Sequence, residues 1–299
     1  MGKRIGALFV SLLALAALLS PPARAAIDLS APGPNPVGYS DVSVSAAGRS
    51  FSARMWYPAA SAGQNTPAAA GRFPVVSFGH GFVQSVTTYS STTGHLASWG
   101  LIVVAPKSQG GLFPSHSAFA LDLNAALSWA VAQDATAGSR LAGHVRTDRL
   151  ALSGHSMGGG ASILAAAQNP AVTTVANLAA AETNPSAVSA AARVTAPMQL
   201  VGGTNDTIVP LSNQQNMYNA KPAPKQLRAI VGGFHCGFID SSGFGCDSGQ
   251  ITRAAQLSIT RRVLTAWFLY YLHGDTSVYD QVWGPGATND PAVRFTGQQ

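Results

Sequence analysis

A short apolar run, a tight turn around a serine and a helix opening on small residues follow one another in Leu150-Ala-Leu-Ser-Gly-His-Ser-Met-Gly-Gly-Gly160. No other stretch constrains the fold as strongly. Gly154-His155-Ser156-Met157-Gly158 has the Gly-x-Ser-x-Gly spacing of a strand-to-helix elbow, which lifts a serine hydroxyl above a sheet edge. The serine of such a turn takes a strained backbone conformation, and side chains two residues to either side would collide, so Gly154 and Gly158 flank it. Gly159 and Gly160 keep the helix start slim. Its free N–H groups and positive dipole end then face the place where an oxyanion would form. Chance produces many Gly-x-Ser-x-Gly matches, but here the context is complete. An apolar strand precedes the turn, and a helix from Ala161 to Gln168, stopped by Asn169-Pro170, follows it.

The stretches around the elbow alternate between strand and helix. Tyr39 to Val44 and Phe51 to Tyr57 alternate like half-exposed strands, whereas Phe73 to Gly79 and Leu101 to Ala105 are continuous apolar runs. Continuous runs of that length suit strands buried on both faces of a parallel sheet. Val175 to Ala180, Met198 to Gly202 and Gln226 to Val231 are three further strand candidates. Ser117 to Val131 repeats apolar residues at helical spacing, and Ile251 to Leu272 predicts a long helix whose apolar set includes Leu257, Leu264 and Trp267. The pattern predicts an α/β fold with a mostly parallel central sheet flanked by helices. Nothing like a linker interrupts residues 39–273, so residues 26–299 are expected to form one domain.

Residues 1–25 read as a signal peptide: Lys3 and Arg4, an apolar run from Ile5 to Leu19, and the small-x-small site Ala23-Arg24-Ala25. That run is shorter than a membrane span, and Ser20-Pro-Pro breaks it at once. The mature protein is therefore expected to be secreted or periplasmic. Without Lys3, Arg4 and Arg24, the 18 basic residues fall to 15 against 12 acidic ones, and the net charge falls from +6 to +3. No basic cluster remains that would point to a nucleic-acid partner. No second apolar run reaches spanning length, and a monomer is expected. In an oxidising compartment, Cys236 and Cys246 are expected to form one local disulfide.

A serine hydroxyl needs a base to take its proton, and the base needs an acid to orient it. In the elbow topology the acid and then the histidine follow the serine along the chain. Only His235 and His273 follow Ser156. His273 ends a long helix, where a cation suits the dipole and solvent. His235 lies in Gly232-Gly-Phe-His-Cys-Gly237, just after the last expected strand, and is taken as the general base. Asp206, in the turn-rich loop Gly202-Gly-Thr-Asn-Asp-Thr-Ile-Val-Pro210, is preferred as the acid over Glu182. Glu182 instead becomes a residue of the cleft. The oxyanion donors expected are the N–H groups of Met157, after the serine, and Phe82, in the Gly-rich loop after the third strand. Phe82, His155, Phe234 and Phe238 are expected to wall the cleft. The seven histidines are scattered without a metal-ligand spacing, and no dinucleotide or phosphate-loop glycine pattern is present, so neither metal nor cofactor is expected.

Gly143 to Gly160, Gly202 to Pro210 and Lys225 to His235 resemble the elbow, acid and histidine loops of secreted α/β-hydrolases of the cutinase-like polyester hydrolase group. That group includes bacterial enzymes acting on poly(ethylene terephthalate) and is related to dienelactone hydrolases. The likeness runs from about Gly38 to Leu272. It implies Ser156, Asp206 and His235 as a triad, with Phe82 and Met157 as oxyanion donors and an ester, polymeric esters included, as substrate. No Trp stands near Glu182, where those enzymes often place an aromatic platform. The Phe82 loop and Leu96 to Pro106 also resemble chlorophyllases and platelet-activating-factor acetylhydrolases. A silent binding protein on the same fold would have lost a triad member, and none is missing. Only fourteen residues, Thr183 to Ala196, separate Glu182 from the next strand, too few to build a cap domain and return to the sheet. An open cleft is therefore expected, suited to short and medium acyl esters.

Overall fold

The computed structural model describes residue 2, residues 27–243 and residues 245–299. The expected signal peptide thus lies outside the described residues, Gly2 excepted. The chain runs β1 (Val37–Ala46), β2 (Arg49–Pro58), β3 (Gly63–Gln64), β4 (Phe73–Gly79), α1 (Ser90–Ser98), β5 (Ile102–Pro106) and α2 (His116–Asp134). It continues through β6 (Val145–His155), α3 (Met157–Ala166), β7 (Val172–Leu178), α4 (Ala187–Ala191), β8 (Met198–Gly203), α5 (Ser212–Ala220) and β9 (Lys225–Ile230). Helices α6 (Arg253–Phe268), α7 (Tyr279–Val282) and α8 (Pro285–Thr288) precede a last strand, β10 (Val293–Gln298).

All ten strands join one sheet in the order β10-β9-β8-β7-β6-β4-β5-β2-β1-β3. Strands β4 to β9 pair in parallel. The β1–β2 hairpin at one end and β10 at the other are antiparallel additions. Helices α2 to α5 cover one face and α1 and α6 the other, each over its own apolar cluster. Burial on both faces explains why β4 and β5 read as unbroken apolar runs. This is the α/β-hydrolase fold, and the described residues build no cap domain. The Thr183–Ala196 connection holds only the five-residue α4.

The order of strands positions the site. The chain goes outward from β4 to β5, then returns to lay β6 on the other side of β4 and proceeds to β9. The loops after β4 and β6 therefore leave the sheet at adjacent strand ends in opposite directions. A crevice opens at such a switch point, outside the carboxyl ends of the strands.

The strand and helix expectations hold with shifted ends. Strand β7 begins earlier than expected and stops at Leu178, because Ala179 turns away with φ 42°. The long carboxy-terminal helix is regular only to Phe268 and continues as a π turn, Leu269–His273. Strand β10 is an addition to the sequence reading. It is short and exposed, and it forms because the outer edge of β9 offers unpaired backbone groups.

His273 corrects the sequence reading. It is not a solvated helix-end cation: its ring is partly buried, and Nε2–H donates to the Gly100 carbonyl at 3.2 Å. Burial pushes its pKa down, and burial pushes that of His95 on α1 down to about 4. Both rings are thus neutral when folded and gain a proton on unfolding below their ordinary value of about 6.5. The unfolded state then binds more protons, so this stability is full above about pH 6.5 and is lost as pH falls toward 4. Inside that window His95 contributes a slope of up to about 1.4 kcal/mol per pH unit, and His273 adds to it in the same direction. Urea midpoints measured between pH 7 and 4 are expected to fall steadily, and less so in a His95→Gln variant. A midpoint independent of pH would contradict the buried neutral rings.

Candidate active site

Ser156 sits between β6 and α3 with φ 56° and ψ −120°, a strained conformation for a residue with a side chain. Neighbouring backbone holds it there. Ser156 N–H donates to the Leu178 carbonyl at 2.9 Å, and the Ser156 carbonyl accepts from Ala181 at 2.9 Å. The flanking glycines are there because backbone approaches them closely. A Cβ on Gly154 would lie 2.5 Å from Gly158 backbone, and one on Gly158 would lie 2.2 Å from Gly79 backbone. The end of β4 thus presses directly on the start of α3, and the loop beyond Gly79 folds over the elbow.

His235 lies in a short 3-10 turn, His235–Phe238, in the loop after β9, and its Nδ1 is 2.8 Å from Asp206 Oδ2. Asp206 is fixed in its turn, since its Oδ1 accepts from the Ile208 and Val209 N–H groups at 3.0 and 2.7 Å. With Nδ1 engaged, Nε2 is the nitrogen left to face Ser156, which lines the same cleft of about 200 Å³. Phe82, Gln84, Ile208 and the Cys236–Cys246 disulfide also line it. Met157 opens α3, where the first N–H groups of a helix have no acceptor within the helix. Among the described residues, no group of three or more His, Cys, Asp or Glu side chains is arranged to hold a metal ion.

A family model described as PET hydrolase-like matches residues 19–289. The chain belongs to that family. It is also similar to the cutinase est1 of Thermobifida alba, 33% identical over 129 residues, which is 43% of this chain and 41% of the cutinase. The match thus spans about two fifths of that relative's length.

Three expected cleft residues of this PET hydrolase-like chain lie elsewhere. The Glu182 carboxylate accepts from the Val188 N–H at 3.0 Å, on the first turn of α4. It is therefore engaged away from His235. Phe234 and Phe238 are buried in the apolar cluster beneath α6, and neither lines the cleft. Aromatic type alone did not reveal which way a loop residue turns. His155 does line the cleft, but as a buried ring stacked 4.5 Å from the His235 ring. Burial, and then the neighbouring His235, pushes its pKa well below the ordinary value, so it is neutral when folded.

Two residues of the site were not legible in the sequence. Tyr89, just before α1, is fully buried, and its hydroxyl accepts from the Gly81 N–H at 2.9 Å. The same oxygen lies 2.9 Å from His155 Nδ1. A hydroxyl can hold both contacts at once, since its oxygen has two acceptor sites besides its own hydrogen. One phenol therefore joins the loop after β4 to the elbow. Asp247 performs the matching task on the other side. Its carboxylate accepts from the His235 and Cys236 N–H groups at 2.9 and 3.0 Å and from Thr207 at 3.2 Å. It fastens the histidine loop to the acid loop. Only its neighbour Cys246, bonded to Cys236, hinted that Asp247 reaches the site.

Tyr89→Phe keeps the ring and strands two buried polar groups, the Gly81 N–H and His155 Nδ1. Such a loss costs about 1–3 kcal/mol. Chemical denaturation is expected to show that drop, while Tyr279→Phe at an exposed tyrosine leaves stability within about 0.5 kcal/mol. Equal stabilities for the two variants would mean that the hydroxyl does not bridge the loops.

Proposed function

We propose that the protein is an exported serine esterase that cleaves carboxylic esters through an acyl-enzyme, without metal or cofactor. The observation that carries this reading is the buried 2.8 Å Asp206–His235 pair sharing one cleft with a serine held at φ 56°. Asp206 orients the ring, and His235 Nε2 takes the Ser156 proton as Oγ attacks the ester carbonyl. The Phe82 and Met157 N–H groups receive the charge that develops on the carbonyl oxygen. His235 returns the proton to the departing alcohol. Water then attacks the acyl-enzyme by the same route and releases the acid. Family membership, the likeness to a cutinase and the disulfide support an exported ester hydrolase.

The surface around the cleft favours a bulky or solid ester. Phe82, Val83 and Ile208 are exposed large apolar residues on the oxyanion and acid loops. Leu112 and Phe113 add a second apolar pair, and the Phe113 side chain is 98% exposed. Their loop is fastened beside the oxyanion loop by the buried His80, whose Nδ1 and Nε2 lie 2.8 and 2.9 Å from the Gly81 and Ser108 carbonyl oxygens. Phe82 and Ile208 line the cleft itself, and exposed apolar side chains there and on the adjoining loops suit contact with an apolar surface rather than enclosure of a long acyl chain. Short and medium acyl esters and polyester surfaces are the substrates this favours.

Ser156→Ala is expected to lower ester turnover by roughly six orders of magnitude and Asp206→Asn by about four. Glu182→Gln is expected to leave it within about twofold, since that carboxylate faces α4. A fluorophosphonate should label Ser156 and nothing else. If the protein resists labelling and hydrolyses no ester in a panel of chain lengths, a binding role on this fold takes the place of catalysis.

The apolar rim is tested separately. A Leu112→Ser, Phe113→Ser double variant is expected to slow product release from a polyester film about tenfold through weaker adsorption, while kcat/KM on a soluble short ester stays within about twofold. Equal losses on both substrates would place these residues in the chemistry of the cleft instead of on its approach.

A further inference from the structure

A second cavity, of about 330 Å³, lies between the amino-terminal segment, α1 and α6, and shares no lining residue with the catalytic cleft. Its walls include Pro32, Val37, Gly94, His95, Ser98 and Arg261. The amino-terminal segment is docked, not loose: Leu29 is fully buried, and Asn35 N–H and Gly33 N–H donate to the Ser98 carbonyl and hydroxyl at 3.1 and 2.8 Å. The volume falls within the range of small-molecule sites.

Nearly every polar group on these walls is already engaged by the protein. His95 Nε2–H donates to the Leu29 carbonyl at 3.0 Å, and burial holds the ring neutral. The Ser98 hydroxyl donates to the His95 carbonyl at 2.6 Å while accepting from Gly33. The Ser30 hydroxyl donates to Asp28 at 2.7 Å, and the Ser91 hydroxyl donates to Asp240. Arg261 differs. Its Nε is buried without a hydrogen-bond partner, and it belongs to none of the ion pairs among the described residues. Its neighbour Arg262 is paired with Asp290 at 2.5 Å. The cavity thus presents a largely apolar wall and one unpaired guanidinium whose inner nitrogen lacks an acceptor.

We infer that this cavity binds a monocarboxylate with a compact apolar body, its carboxylate on Arg261 and its body along Pro32, Val37 and Gly94. A guanidinium offers two parallel N–H donors that match the two oxygens of a carboxylate, and here the terminal Nη groups, which have no protein partner among the described residues, are the ones left to make that contact. A phosphate dianion would leave charge against apolar walls, and a neutral molecule would leave the guanidinium unmatched. The ligand class follows from the cavity alone. That such acids are also what the protein releases rests on the esterase reading above.

Titration calorimetry with octanoate on the full mature protein tests the inference, with octanol as the uncharged probe. One octanoate is expected to bind to each chain. Arg261→Gln is expected to weaken octanoate about tenfold or more while leaving octanol nearly unchanged. Gly94→Leu fills the cavity. A Cβ there meets only ordinary contacts, 3.9 Å from Val37 and 4.0 Å from Trp56, and a helical glycine gains stability on replacement, so the variant is expected to fold. It should abolish binding of both probes while ester turnover holds and the melting temperature does not fall. No octanoate binding to the unaltered protein, or binding that both variants retain, would overturn the inference. The readout does not depend on turnover. A protein that binds octanoate through Arg261 but hydrolyses no ester would refute the esterase reading and leave this site standing.

Discussion

A close backbone approach that only glycine permits governs this structure: the start of α3 at Gly158 against the end of β4 at Gly79, where a Cβ would sit 2.2 Å from the opposing backbone. Because those two chain segments touch, the loop after β4 lies beside the elbow, and Phe82 of that loop lines the same cleft as Ser156. The strained Ser156 backbone is the local expression of the same contact. Its energetic cost is offset by hydrogen bonds to Leu178 and Ala181 at the end of β7 and by the buried sheet beneath.

Around that contact, the polar side chains serve mainly to hold loops in place. Asp206 orients His235 while capping its own turn, and Asp247 ties the histidine loop to the acid loop. Tyr89 ties the oxyanion loop to the elbow through His155, and His80 ties it to the loop after β5. All of these bonds but the exposed one from Thr207 are buried or partly buried, where an unmade hydrogen bond is costly, so each holds its pair of loops together. Rigidity there and openness above it go together: no cap is needed to order the site, and the cleft remains open toward its apolar surroundings.

The elbow, the parallel-sheet strands and the order of serine, acid and histidine were all legible in the residues, because each is a local pattern. An unbroken apolar run records burial on both faces, and Gly-x-Ser-x-Gly records a turn whose sterics exclude side chains. Asp206 and His235 were recognisable from the loops that follow strands. Tyr89 and Asp247 were not, since nothing within ten residues of a buried tyrosine reveals which backbone N–H its hydroxyl will meet. Phe234 and Phe238 were assigned to the cleft on residue type and lie in the core, because the twist of a short 3-10 turn decides which way each ring points.

Chain order and residue chemistry were thus sufficient for the fold class, the serine elbow and the loops that carry Asp206 and His235, since those depend on contacts between neighbours and on hydrophobic period. Strand order in the sheet depends on long-range pairing. Only the folded chain placed β6 beside β4 and opened the crevice between their loops. The same holds for His273, which reads as a solvated helix end but packs against Gly100 across the molecule. It holds again for Arg261, an ordinary helical arginine in the sequence. Its lack of a partner exists only because the amino-terminal segment and α1 close a cavity around it. Local sterics and periodicity are written in adjacent residues, whereas the matching of buried donors with acceptors is decided by which distant segments meet.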